Sequence, residues 1–176
     1  LEFRRVLFRS EFLDAYSIPY YELEGYEGDD LIGTLSRLGE EQGLSVSIFT
    51  GDKDAFQLVS KQTTVYRTVK GVTQLDVYTP ETIQEKYGLV PDQIRDFLGL
   101  MGDSADNIPG IKGVGEKTAL KLLHEYGTIE NLKEHMHEIK GKMGEKIREN
   151  IDIGLQSKKI ATILRDVPVT LDLNQA

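Results

Sequence analysis

The sequence predicts a two-part fold, an α/β core with a parallel sheet over residues 11–88 followed by an all-α subdomain over residues 89–165. Three observations lead there. Residues 44–50, LSVSIFT, alternate and are rich in β-forming side chains. A helical apolar pattern of Leu31, Ile32, Leu35 and Leu38 precedes them, and a short candidate strand, residues 20–23, precedes that. From Leu89 on, apolar spacing is helical, with glycine breaks at Gly102, at residues 110–115, and at Gly127, Gly141 and Gly144.

Residues 1–10, LEFRRVLFRS, carry three arginines, no turn signal and no clear period. They read as a translated adapter scar joined to a gene fragment and are set apart from the fold. Residues 11–17 read as the end of a helix, stopped by Ile18-Pro19. Gly43 closes the helix that begins near Asp30. One helical turn is expected at residues 55–59. Strands at 63–69 and 75–78 form a hairpin or a sheet edge, with Gly71 as the turn residue. Thr79-Pro80 starts a helix that Gly88 ends, and Pro91 opens another that buries Ile94, Phe97, Leu98 and Met101. Residues 140–150 and 153–164 are expected as two further helices. Residues 167–173, VPVTLDL, alternate and are expected to return as an edge strand within a closing segment, 166–176.

The composition is that of an ordinary globular chain, with 39% hydrophobic and 28% charged residues among 176. No apolar run approaches the length of a membrane span and no secretory signal pattern is present, so a cytoplasmic protein without a membrane partner is expected. The absence of cysteine excludes disulfides and thiolate metal sites. His124, His135 and His137 lie in the helical half without partner ligands at zinc spacing and read as solvated helix residues. The net charge of −8 argues against a nucleic-acid partner unless cations neutralise the carboxylates locally.

Those carboxylates fall in three clusters. Glu27, Asp29 and Asp30 stand where a loop enters a helix. Capping explains any one of them, but three in four positions exceed what a cap requires. Asp52 and Asp54 follow the 44–50 strand immediately, and the carboxyl end of a parallel strand is where α/β sheets place ligand sites. A tight Gly-Asp turn would also account for that pair. Asp103 and Asp106, three residues apart, are expected on one helix face and able to aim at one point. Oxygen-only ligands crowded together suit a hard cation such as Mg²⁺, with Mn²⁺ also accepted. Behind the third cluster, Gly110-Ile-Lys-Gly-Val-Gly115 opens an amphipathic helix with Lys117 and Thr118 in its first turn. Glycines admit an anion close to backbone N–H groups, the helix start favours it, and Lys112, Lys117 and Lys121 gather nearby. Phosphate beside a metal site points to nucleic acid.

GYEGDD, TGDKDAFQLV and GLMGDSADNIPGIKGVGEKTA resemble the signature blocks of the 5′-nuclease (flap endonuclease-like) family, in particular the 5′→3′ exonuclease domains of bacterial DNA polymerase I. The similarity runs from about residue 11 to about residue 173. It implies a PIN-like parallel-sheet nuclease core, incomplete at its N-terminus, and a helix-hairpin-helix (helix-three-turn-helix) subdomain. It implies that Glu27, Asp29, Asp30, Asp52 and Asp54 line a first metal region and Asp103 and Asp106 a second, holding two Mg²⁺ ions. The hairpin, Gly110, Lys112, Gly113, Gly115, Lys117, Thr118 and Lys121, would grip duplex phosphates, with K⁺ at its carbonyls. The implied substrates are DNA 5′ ends and flaps and RNA primers, in replication and repair, for a monomer near the bacterial nucleoid with a polymerase domain fused in the parent. Family members begin with a strand bearing another metal-binding Asp and with a helical arch, neither of which these residues contain. Poor stability and little activity are therefore expected of the isolated chain. Gly28 stands where the family commonly has Ala. The competing expectation is a non-catalytic module that binds duplex DNA through the hairpin. A Ca²⁺-binding structural domain is disfavoured, since no D-x-D-x-D-G loop is present.

Overall fold

The computed structural model describes residues 2–70 and 74–173. The elements are α1 (Glu2–Ala15), α2 (Gly28–Glu41), β1 (Val46–Thr50), a 3₁₀ turn (Asp54–Leu58), β2 (Thr63–Lys70), β3 (Gln74–Tyr78), α3 (Pro80–Tyr87), a second 3₁₀ turn (Pro91–Gln93), α4 (Ile94–Met101), α5 (Glu116–Tyr126), α6 (Ile129–His135) and α7 (Gly141–Ala161). They form two compact units. One comprises the chain up to Gly43 and from Leu164 on; the other comprises 44–163.

In the larger unit, β1 and β2 pair in parallel from Val46↔Thr63 to Thr50↔Arg67. β2 and β3 pair antiparallel, Val65 opposite Tyr78, with an irregularity between Thr68 and Lys70. The sheet is therefore mixed, in the order β1-β2-β3. The hairpin reading of β2 and β3 holds, while its turn residue, Gly71, lies outside the described residues. The expected strand at 20–23 does not form: those residues have no strand pairing among the described residues, and Tyr20 and Tyr21 are exposed. Apolar character alone makes no strand, because the backbone groups need a neighbour to bond. The parallel partner of β1 is instead β2, reached through a connection holding one 3₁₀ turn. Ile48, Val65 and Tyr78 face the core, where Phe56 stacks on Tyr78 with ring centroids 3.8 Å apart.

α3 starts and stops as its sequence dictates. Thr79 accepts from Thr82 N, Pro80 holds the first helical position, and Gly88 ends the helix at φ +66°. Beyond it the described elements are all helical. α4 buries Ile94, Phe97, Leu98 and Leu100, leaving Met101 only half-buried. It runs close against α7: a Cβ on Gly99 would stand 2.7 Å from Lys158 Cβ and 3.0 Å from the Gly154 carbonyl. α7 is one helix of 21 residues, not the expected pair. Residues 150–153 contain no breaker, and Gly154 continues the helix because it admits the Ile111 side chain, 3.0 Å from its would-be Cβ. A buried carboxylate that the sequence reading did not single out, Asp96, accepts from Ile129 N at 2.9 Å and from Lys158 Nζ at 2.7 Å. Lys158 also pairs with Glu130 at 2.8 Å.

In the smaller unit, residues 2–10 form the first part of α1, which ends in a turn at Ser17. The expected apolar stripe of α2 is only partly buried. Leu31 is enclosed, but the rest of the buried face is Gly33, Thr34, Ser36 and Gly39. The returning chain bonds directly to the Asp30, Thr34 and Arg37 row of the helix. Leu164 N donates to Asp30 Oδ1 at 2.9 Å, Arg37 Nε to the Arg165 carbonyl at 2.6 Å, and Val167 N to Thr34 Oγ1 at 3.1 Å. The returning segment is thus not the expected strand at 167–173: helix side chains take up its backbone groups.

Candidate functional site

The loop after β1 turns on its own carboxylate. Asp52 N donates to Thr50 Oγ1 and Asp54 N to Asp52 Oδ1, both at 3.0 Å. This local bonding turns the chain into the 3₁₀ turn and buries Asp54 at 8% exposure.

The loop after α4 is closed by a reciprocal pair, Asp103 N to Ile108 O at 2.9 Å and Ile108 N to Asp103 O at 2.7 Å. Asp103 Oδ1 accepts from Ala105 N at 2.7 Å, and Asn107 sits at φ +58°. Asp103 and Asp106 therefore do not share a helix face as expected. Gly102, at φ +76°, ends α4 before them, and a Cβ there would stand 2.6 Å from the Ile108 carbonyl. The turn nevertheless achieves what a helix face would have done. Asp54, Asp103 and Asp106 each place a carboxylate oxygen within 4.8 Å of the others. Burial first, then the charges of Asp52 and Asp103, raises the Asp106 carboxyl above the ordinary value of 3.8. Three oxygens converging with too much negative charge fit a hard divalent cation, which would neutralise the cluster.

Glu27, Asp29 and Asp30 stand at the start of α2 in the other unit. Asp30 Oδ2 accepts from Glu27 N at 3.3 Å while its Oδ1 takes Leu164 N. The capping explanation that the sequence left open is realised at this residue.

The turn at 110–115 is anchored by apolar side chains. Ile108, Ile111 and Val114 are buried, and Ile111 N donates to Leu100 O at 2.8 Å. Gly113 has φ +83°, and Gly115 is the N-cap of α5, its carbonyl accepting from Thr118 N and Ala119 N. Lys112, Lys117 and Lys121 are exposed, and the last two line an open groove with Leu120, His124 and Glu125. His124 Nε2 lies 3.0 Å from the Tyr87 carbonyl, a structural contact between α5 and the end of α3.

Sequence reasoning missed a cavity of about 170 Å³ beside the acidic cluster, lined by Lys53, Phe56, Tyr87, Phe97, Met101 and Asp103 among others. Its walls come from segments far apart in the chain, and the one available signal was Lys53 between Asp52 and Asp54.

Residues 89–176 match the family model of the 5′-3′ exonuclease C-terminal SAM fold, and residues 5–88 match that of the 5′-3′ exonuclease N-terminal resolvase-like domain. The chain belongs to the 5′-3′ exonuclease family. The resemblance drawn from its three motif blocks is borne out. DNA polymerase I of Bacillus caldotenax is 53% identical over 165 residues, covering 93% of this chain and 19% of that protein. DNA polymerase I of Bacillus subtilis (strain 168) is 52% identical over 168 residues, 95% of this chain and 19% of that protein. The chain thus spans 19% of the length of these curated relatives. Among solved structures, a bacteriophage T5 flap endonuclease complex with DNA and metal ions superposes with a TM-score of 0.77 at 18% identity, covering 90% of this chain and 58% of that one. T5 5′-exonuclease with bound zinc gives 0.74 at 19% identity, over 85% of this chain and 54% of that one. The catalytic core of Rad2 with DNA substrate gives 0.59 at 19% identity, over 94% of this chain and 57% of that one. At such identities the likeness is one of fold.

Proposed function

We propose that this chain is the nuclease region of a protein that hydrolyses phosphodiester bonds at DNA 5′ ends and flaps, and in RNA primers, during replication and repair. The observation that supports this most directly is the meeting of Asp54, Asp103 and Asp106 within 4.8 Å. A divalent cation there would act as a Lewis acid toward a phosphodiester and would lower the pKa of a bound water. In this reading Asp54, Asp103 and Asp106 hold Mg²⁺, or Mn²⁺ in its place, and Asp52 adds charge beside them. Glu27, Asp29 and Asp30 are assigned to the same chemistry by family resemblance, which implies two ions in all. Lys112, Lys117 and Lys121, with the backbone of Gly110, Gly113, Gly115 and Thr118, would bind duplex phosphates, and K⁺ would sit at the turn's carbonyls. The parent would be a monomer with a fused polymerase region in the bacterial cytoplasm, close to the nucleoid.

The test is cleavage of a 5′-flap DNA in Mg²⁺ by the longer protein and by this chain, each with an Asp52→Ala control. The reading expects cleavage by the longer protein that chelator and Asp52→Ala both abolish, with duplex binding retained. The same experiment asks whether this chain is impaired on its own, as the resemblance implies. Duplex binding with no metal-dependent cleavage in either polypeptide would replace the nuclease by a non-catalytic DNA-binding module.

A further inference from the structure

The turn at 110–115 rests on α7 at three successive points. Gly110 N donates to the buried Ser157 Oγ at 3.1 Å. Ile111 lies in the gap left by Gly154, within 3.0 Å of where a Cβ would be. At Gly113 the neighbour is Lys146, whose Nζ stands 2.6 Å from the position of a Cβ on that glycine. Positions 146, 154 and 157 recur at helical spacing, so one face of α7 carries the whole turn. The upper two contacts are buried and structural. The third is an exposed ammonium laid over the backbone of the residue that follows Lys112.

Lys146 belongs to none of the ion pairs among the described residues. An ammonium beside an open backbone turn, in no ion pair among the described residues, presents positive charge to whatever the turn binds. Lys142 is also exposed and lies one helical turn earlier on the same face, so the positive row continues away from the turn. We infer that α7 is part of the phosphate-binding surface, and that Lys146, followed by Lys142, contacts DNA backbone phosphate next to the phosphate held by the turn. The inference rests on the duplex-binding reading of the turn and extends it to a second helix. Contacts of this kind set register and affinity and carry no sequence preference.

The experiment is a salt titration of duplex binding by the full chain, by fluorescence anisotropy with a labelled DNA duplex in EDTA, from about 50 to about 200 mM salt. Lys146→Gln should lower the slope of log K against log salt by about one, and weaken binding about eightfold at about 0.1 M salt, the counterion-release factor for a single phosphate. Lys146→Arg, which keeps the charge, should restore both. Lys159→Gln, an exposed position outside the row, should change neither. An unchanged slope and affinity in Lys146→Gln overturns the inference. So does a loss that Lys146→Arg fails to restore, since packing over Gly113 would then be the whole role. Salt-dependent binding that ignores Lys146 leaves the reading of the turn standing, whereas a wild-type chain that does not bind duplex at all removes that reading and this inference with it.

Discussion

At the start of α2, Asp30 spreads its two oxygens over backbone donors, Glu27 N on one and Leu164 N on the other. In the loops after β1 and α4, Asp54, Asp103 and Asp106 turn oxygens toward one another instead, within 4.8 Å. The two acidic clusters look alike in sequence. What separates them is convergence: both accept local backbone N–H groups, but only in the loops do oxygens from two segments meet. A helix start offers unsatisfied N–H groups and the positive end of a dipole, so carboxylates there have local work to do. The loops at 51–54 and 102–109 also bond internally, Asp54 N on Asp52 Oδ1, Ala105 N on Asp103 Oδ1 and the Asp103–Ile108 backbone pair, and in doing so bring oxygens of Asp54, Asp103 and Asp106 together. Acidic density is therefore weak evidence of a metal site where a helix begins, and stronger evidence where two loops converge.

Asp96 shows a third arrangement and should give the largest effect on stability. It is 2% exposed, with Lys158 and Ile129 N as donors. Asp96→Ala would leave both donors buried beside an empty space, and is expected to destabilise the chain by about 3–5 kcal/mol in urea unfolding. Asp96→Asn should lose less, since its amide oxygen still accepts from Ile129 N. The two carboxylates around Lys158 titrate in opposite senses. Burial, outweighing the Lys158 and Ile129 hydrogen bonds, raises Asp96 above its ordinary value. Glu130 also meets a burial penalty, but its hydrogen bond to Lys158, its own backbone N–H and the charges of Lys158 and Arg95 carry it below its ordinary value. A raised carboxyl binds its proton more tightly in the folded chain, so Asp96 adds stability as pH falls from its folded value toward the unfolded one. Glu130 contributes stability above its unfolded value and loses it as pH falls through its lowered folded value. Asp96→Asn should remove the first gain and keep the second loss, a difference that urea midpoints measured across the acid range will detect.

The next effect separates the loop cluster from the helix cluster directly. Asp103→Asn removes one charged oxygen donor while retaining an acceptor for Ala105 N. Under the nuclease reading, flap cleavage by the longer protein should fall about 10²–10³-fold, with the urea midpoint in EDTA little changed. Retained cleavage would remove Asp103 from the chemistry and leave it the role of closing its turn.

How much of this was legible in advance follows from the range of the interactions involved. α3 was readable from Thr79-Pro80 to Gly88 because its start and stop are local chemistry. The β2–β3 hairpin and the 110–115 turn were readable for the same reason. The strands expected at 20–23 and 167–173 failed because a strand depends on a partner that alternation does not name. Residues 164–167 spend their backbone bonds on Asp30, Thr34 and Arg37 of α2, which buries Thr34 on a row that leucine spacing does not name. Gly144 is expected as a helix break and lies inside α7, where a Cβ would meet the Ile139 carbonyl. At the site, residue types were readable and geometry was not: Asp103 and Asp106 meet through a turn closed by Asp103 and Ile108, and Asp54 joins them from a loop some fifty residues earlier in the sequence.

A smaller effect tests the helix side. Asp30→Ala deletes two backbone hydrogen bonds at the start of α2 and should cost about 1–2 kcal/mol in metal-free buffer. The loss should be visible by circular dichroism melts in EDTA, where no metal contributes. A variant as stable as the wild type would show that the Glu27 and Leu164 amides are equally satisfied by water, and the contrast between the clusters would weaken.

The smallest effect has the opposite sign, and for that reason it discriminates best. Asp106 is exposed, and slight desolvation and the charges of Asp52 and Asp103 act on it together. Removing its charge without changing its shape, by Asp106→Asn, relieves repulsion between like charges that solvent largely screens. The metal-free chain should therefore gain about 0.2–0.5 kcal/mol, read as a higher urea midpoint in EDTA. With Mg²⁺ present the order should reverse. The wild type then gains binding free energy that grows with cation concentration, and the variant, one charged oxygen short, gains less. A crossing of the two stability curves as Mg²⁺ is added is what a cluster held together by an ion predicts. A variant less stable than the wild type in EDTA would mean that Asp106 already has a stabilising partner in the metal-free chain, and that the loop cluster resembles the capped start of α2 more closely than its geometry suggests.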